Sequence, residues 1–195
     1  HGEEFREHGG FSHSQTFHDE VMHVPLVLDV GDDAGAAHAE VTGMLDVTPT
    51  LVDYAGGERS EAFYGHSLRS LVEGGEWPRE HVVGDWADGE RTEFRYAYRD
   101  DRWKYVDLDG ETALYDLDAD PGERTDVSTE FPDERDRIER DGGRHGDRAL
   151  GGRGVRRARL VASGSGTPPV RRLAVRGVDL LLVLVVDVRI VRRIA

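Results

Sequence analysis

The sequence of 195 residues predicts an α/β fold, in which a short parallel-sheet segment with helices precedes a small four-stranded antiparallel subdomain. Three observations predict it. The run HVPLVLDV, residues 23–30, is almost unbroken in apolar side chains, as in a strand buried in a parallel sheet. Capped helical segments follow it. Beyond residue 80 the hydrophobic period changes from 3.6 to 2 across four segments separated by turn residues.

Taken in order, SQTFHDEVM (residues 14–22) predicts a short helix with Phe17 and Val21 four apart on one face. Residues 23–30 form the strand, and the loop GDDAGAA follows. LDVTPTLVDYAGG predicts a helix with Thr48 at the N-cap, Pro49 at the first helical position, and Gly56-Gly57 at its end. Leu51, Val52 and Ala55 are its expected core residues. GHSLRSLVEGG (65–75) is a second short helix ended by glycines. Strands are expected at 81–86, 92–99, 102–107 and 112–117, with turns at Asp100-Asp101 and Asp109-Gly110. Phe94, Tyr96 and Tyr98 alternate with Arg95, Ala97 and Arg99, so one face of this sheet should be aromatic. A last short helix is expected at 131–140. The expected division is therefore 1–75, 76–140 and 141–195.

Composition separates the last of these from the rest. Residues 1–140 carry 35 acidic and 13 basic side chains; residues 141–195 carry 4 and 12. Residues 141–195 also contain no aromatic residue and no glutamate, and they read as a basic low-complexity tail, disordered or translated in a shifted frame. Its apolar run LLLVLVV (180–186) is far shorter than the ~20 residues of a membrane span. The acidic part repels nucleic acid and anionic membranes. Only Lys104 is a lysine among the 25 basic residues, and acidity with arginine dominance points to a salt-adapted, GC-rich source. The absence of cysteine excludes disulfides, thiol catalysis and cysteine-ligated zinc. Localisation and oligomeric state stay open.

The opening HGEEFREHGGFSHSQTFHDEVMHVPLVL carries a resemblance. His1-Gly2, His8-Gly9, His13, Asp19-Glu20 and Val24-Pro25-Leu26 stand in the order of motifs in the sulfatase family of the alkaline phosphatase superfamily. LDVTPTLVDYAG, GHSLRSLV, YRDDRWKYV and ALYDLDADPGERTDV continue the resemblance to about residue 135. It implies an alkaline-phosphatase-like parallel sheet segment (1–75), then the family's antiparallel C-terminal subdomain (76–140). The chain looks like the C-terminal third of such an enzyme, beginning one residue after a metal-binding aspartate. On this resemblance the family's nucleophile motif is expected upstream, and this chain alone should not hydrolyse sulfate esters.

The resemblance also implies roles. His1 takes the metal-ligand position. His13 takes the place of the basic residue set against the sulfate, as catalytic and substrate-binding group. His8 holds the loop or touches substrate. The implied cofactors are a divalent metal, calcium first and magnesium, manganese or zinc as alternatives, and a formylglycine nucleophile upstream. The implied partner is a small sulfate ester. His18 and His23 read as structural, since a spacing of five turns a helical side chain by 140° and no H-E-x-x-H occurs. Arg6 stands where the family usually has glycine. Asp116, Asp118 and Asp120 lack the glycine and glutamate of an EF-hand loop and read as a turn. TPPVR (167–171) matches the spacing of the nucleophile motif, but threonine cannot become formylglycine. Two alternatives remain: a phosphoesterase or phosphoglycerol transferase of the same superfamily, and a non-catalytic truncated product.

Overall fold

A computed structural model describes residues 1–13, 16–30, 36–87, 94–149 and 185–188. The chain opens with a small antiparallel hairpin of β1 (Glu4–Phe5) and β2 (Phe11–Ser12), paired as Glu4 with Ser12 and Phe5 with Phe11. Helix α1 (Asp19–Met22) is shorter than expected. Phe17 has a φ of 60°, a left-handed conformation that a helix cannot continue through, so the helix starts after it. Phe17 and Val21 nonetheless share one core cluster, 2% and 5% exposed.

β3 (His23–Leu26) follows directly, and then β4 (Thr42–Gly43) and a 3₁₀ turn at Met44–Asp46. Helix α2 (Val47–Tyr54) begins earlier than the sequence suggests. Its N-cap is Asp46 rather than Thr48, and Pro49 falls at the third helical position, still within the turn whose N–H groups need no helical partner. Leu51 and Ala55 face solvent, and the expected core face is corrected accordingly. Pro49 and Thr50 are its buried residues instead, and polar contacts anchor that side. Buried Asp46 accepts hydrogen bonds from Gly43 N (2.9 Å) and His66 N (2.7 Å), and the Thr50 hydroxyl accepts one from Leu68 N (2.8 Å). Arg79 Nη2 closes an ion pair with Asp46 at 2.6 Å. Hydrogen bonding, which apolar periodicity does not register, orients this helix. Helix α3 (Arg69–Val72) buries Leu71 beside Leu68.

The four-stranded sheet runs β5 (Val82–Ala87), β6 (Phe94–Arg99), β7 (Trp103–Leu108) and β8 (Glu111–Asp116), antiparallel and in sequence order. Asp109 and Gly110 have φ of 60° and 96°, the pair of positive values that a two-residue hairpin turn requires. The aromatic face carries Tyr96, Tyr98, Trp103, Tyr105 and Leu114, covered by Ile138 of α4 (Pro132–Ala149). The opposite face is not solvated. Ala97 and Val106 pack there against Phe17, Val21 and Met22. α1 and α4 thus clamp the sheet from both sides, and α1 joins the hairpin to it.

α4 runs past residue 140 to Ala149, and β9 (Val185–Val188) lies between β3, to which it is parallel, and β4, to which it is antiparallel. The parallel pairing and the antiparallel sheet give the expected α/β class. Residues 150–184, including the TPPVR motif, lie outside the described residues.

Candidate functional site

The hairpin is organised by a carboxylate pointing inward. Glu4 is fully buried, and its Oε1 accepts hydrogen bonds from His8 N (3.1 Å) and Gly10 N (2.7 Å). Strand alternation then sends Glu3 and Phe5 outward. Ser12 and Arg6 bend the chain at φ of 70° and 79°. His13 comes to face Glu3, its Nδ1 at 2.8 Å from Glu3 Oε1. The His1 ring lies against His13, with centroids 4.5 Å apart. His1, Glu3 and His13 each offer a ligand atom within 4.8 Å of the other two, and all three are exposed. The hydrogen bond from His13 is the largest of the causes that lower the Glu3 carboxyl below its ordinary value.

The whole hairpin is tied to α1 by a close approach of backbones. Gly2 N donates to Val21 O at 2.9 Å, and a side chain at Gly2 would bring a Cβ within 2.1 Å of Glu20 O. Only glycine lets the histidine loop sit there.

His8 does not join His1 and His13. Its ring stacks on His18 at 3.6 Å, near parallel at 10°, inside a second cluster with Glu123. An imidazole lone pair lies in its ring plane, and one ion cannot lie in two parallel planes that far apart, so the two imidazoles do not converge on one ion. His18 is 7% exposed and its Nδ1 has no hydrogen-bond partner. Burial, then the neighbouring His8 and Lys104, push it down to about 4. Burial pushes Glu123 up to about 7, with Lys104 opposing.

Lys104, at 1% exposure, donates to Asp19 Oδ1 and Glu123 Oε1, both at 2.6 Å. Burial raises the Asp19 carboxyl, but the hydrogen bond from His23 and the charges of Lys104 and Arg99 hold it far below its ordinary value. Sequence reasoning placed Asp19 in a motif but missed Glu123 and Lys104. The only signal was the solitary lysine. Asp116 pairs bidentately with Arg102 (3.1 and 2.7 Å), and Asp120 Oδ2 accepts from Arg124 N and Thr125 N (2.7 Å each). That segment is a turn, as expected.

Residues 6–138 match the family model described as N-sulphoglucosamine sulphohydrolase, C-terminal, a span that includes His8 and His13 and begins after His1 and Glu3. Arylsulfatase K of Homo sapiens is 31% identical over 150 residues, 68% of this chain and 27% of that protein. Choline-sulfatase of Rhizobium meliloti (strain 1021) is 36% identical over 124 residues, 61% of this chain and 24% of that protein. A putative sulfatase from Bacteroides thetaiotaomicron VPI-5482, a solved structure, aligns with a TM-score of 0.45 at 25% identity over 54% of this chain and 25% of that one. The chain spans about a quarter of the length of the two curated relatives.

Proposed function

Since this chain belongs to the N-sulphoglucosamine sulphohydrolase C-terminal family, we propose that it supplies one wall of a metal-dependent sulfate-ester hydrolase, with His13 as its reacting residue and His1 at the metal. The observation that carries this reading is the convergence of His1, Glu3 and His13 within 4.8 Å on a hairpin that Glu4 and Gly2 hold in place. In this reading residues 1–75 carry the site and residues 76–140 hold it.

The donor set fits a divalent ion in kind. Imidazole and carboxylate together suit manganese or zinc, whereas calcium takes six to eight oxygens and would draw most of them from elsewhere. His1 and the second oxygen of Glu3 would hold the ion, which when bound withdraws charge from the sulfate oxygens. His13 keeps its own task. Glu3 fixes the ring through Nδ1, which leaves Nε2 to present a proton to the ester oxygen of the departing alcohol. Glu3 therefore orients the acid as well as serving the metal side. His8, stacked on His18, sits behind the loop and keeps its shape.

The test is release of nitrophenol from 4-nitrophenyl sulfate, beside 4-nitrophenyl phosphate, by the protein that carries this sequence. Substituting His13→Ala should lower kcat/KM for the sulfate by about 10²-fold or more. A preference for the phosphate would move the assignment to phosphate-ester hydrolysis. An unaffected His13→Ala variant would remove His13 from the reaction.

A further inference from the structure

The hairpin and the four-stranded sheet meet at one buried imidazole. His18 stands between His8, stacked on it at 3.6 Å, and Tyr115 of β8, whose ring meets it edge-on at 5.9 Å and 61°. His8 belongs to the loop between β1 and β2, and its Nε2 also lies 3.2 Å from Glu20 Oε2 on α1. A neutral imidazole packs as an aromatic ring, whereas a buried imidazolium needs water or an anion at each N–H. His18 is 7% exposed, and its Nδ1 has neither among the described residues. The charged groups around it are engaged elsewhere. Lys104 of β7 adds a second cation, and it binds both Asp19 of α1 and Glu123 beyond β8. Glu4 of β1 accepts from the His8 and Gly10 amides. A proton on His18 would therefore stand beside Lys104 and under the His8 ring, with no hydrogen-bonded anion at Nδ1.

We propose that the His8–His18 stack is an acid-released latch: protonation of His18 lifts the loop of residues 6–10 off α1 and loosens the hairpin that carries Glu3 and His13, while the four-stranded sheet stays folded. The proton comes from water to Nδ1, and the cation gains hydration only when the His8 ring no longer covers it. Glu123 keeps Lys104 and the Asp19 amide in the released state, so its own titration is not set free with the hairpin. The latch concerns the attachment of the hairpin and holds whatever reaction the hairpin serves. Burial already draws the proton affinity of His18 from 6.5 down to about 4. A ring that regains its ordinary value on release favours release about 60-fold more at pH 4.5 than at pH 7.

The experiment is amide hydrogen exchange of this chain from pH 4.5 to 7, corrected for the intrinsic pH dependence of exchange. The His8 and Gly10 amides, which donate to Glu4, and the Gly2 amide, which donates to Val21 O, should lose about 60-fold in protection at the acid end. Amides of β7 and β8 should not follow them. His18→Phe and His18→Gln, neither of which titrates, should flatten the response. His8→Phe leaves an uncharged ring over His18 and should keep most of it. In the native chain the ring-proton resonances of His18 should titrate with a midpoint near 4, a reading that needs no variant to fold. A His18 midpoint at its ordinary value, or hairpin protection that does not change with pH, would overturn the latch. Sheet amides that lose protection in step with the hairpin would show global unfolding and overturn local release. A response that persists in either His18 variant would place the sensor on a carboxylate such as Glu4, and would overturn it as well.

Discussion

The proton affinities of Glu123 and His18 are shifted in opposite directions, so their contributions to stability oppose each other over much the same pH range, and removing either one should reveal the other. Both are almost fully buried, at 2% and 7% exposure, and each offers an atom within 4.8 Å of the other. His18 has its proton affinity pushed from the ordinary 6.5 down to about 4, chiefly by burial. Between about pH 4 and 6.5 the unfolded chain therefore binds more protons, and stability rises with pH. Glu123 is pushed from 4.5 up to about 7, again chiefly by burial. Between about pH 4.5 and 7 the folded chain binds more protons, and stability falls as pH rises. Each proton is worth about 1.4 kcal/mol per pH unit, so each slope amounts to on the order of 3 kcal/mol across its window. In the native chain the two cancel from about pH 4.5 to 6.5. Glu123→Gln keeps an acceptor for Lys104 but removes the falling slope. Relative to the native chain, its stability should climb from pH 4.5 to 7. His18→Phe keeps the ring but removes the rising slope, and its relative stability should decline from pH 4 to 6.5. Urea unfolding at half-unit steps from pH 4 to 8, with m held common, measures both difference curves. Two flat curves, or two of the same sign, would refute the reasoning.

Replacing Lys104→Met should cost about 3–5 kcal/mol at pH 8, because it leaves the Asp19 and Glu123 carboxylates buried and without their shared cation. The loss should shrink below pH 7, where Glu123 takes up its own proton, and chemical unfolding at the two pH values checks this. Arg6→Gly should raise stability by about 0.5–1 kcal/mol, since φ of 79° strains any side chain there, and thermal unfolding reads the gain. Gly2→Ala should cost about 1–3 kcal/mol and shift the amide resonance of His13, because its Cβ would collide with Glu20 O and push the hairpin off α1.

The strands were legible because period-2 alternation and turn residues are local signals. The four strands lie within two residues of the expected bounds, and Asp109-Gly110 turns as read. The second face of the sheet was not legible. Arg95, Ala97 and Arg99 look like a solvated stripe, yet Ala97 packs under α1 and Arg99 pairs with Asp19, 80 residues earlier. Such contacts leave no periodic trace. The same holds for α2, where Leu51 follows the apolar pattern but buried hydrogen bonds of Asp46 and Thr50 decide which side faces in. On the opening hairpin, His1 and His13 were singled out from motif order, and their rings lie 4.5 Å apart. Glu3 was missed, because a glutamate in an acidic stretch carries no distinguishing mark. Arg6 was noted as a departure from glycine, and its positive φ supplies the reason a glycine belongs there.

The antiparallel sheet contributes no side chain to the His1–Glu3–His13 cluster, yet it determines where that cluster stands. Lys104 on β7 grips Asp19 at the start of α1 and Glu123 beyond β8. α1 in turn holds Gly2 by the Val21 carbonyl, and Gly2 neighbours His1. Two hydrogen-bonded steps thus connect the sheet to the His1–Glu3–His13 cluster. Lysine is the basic residue suited to the junction in a chain whose other basic residues are all arginine. The gap between the two carboxylates is nearly closed to solvent and admits a compact ammonium on a flexible stem, whereas a planar guanidinium would have to spread five donors across it. A buried ion pair of this kind adds little net stability over an apolar contact of the same size, but it tolerates only one register. What it contributes is placement: α1 cannot slide along the sheet without stranding a buried charge, and the hairpin that carries the histidines is fixed with it.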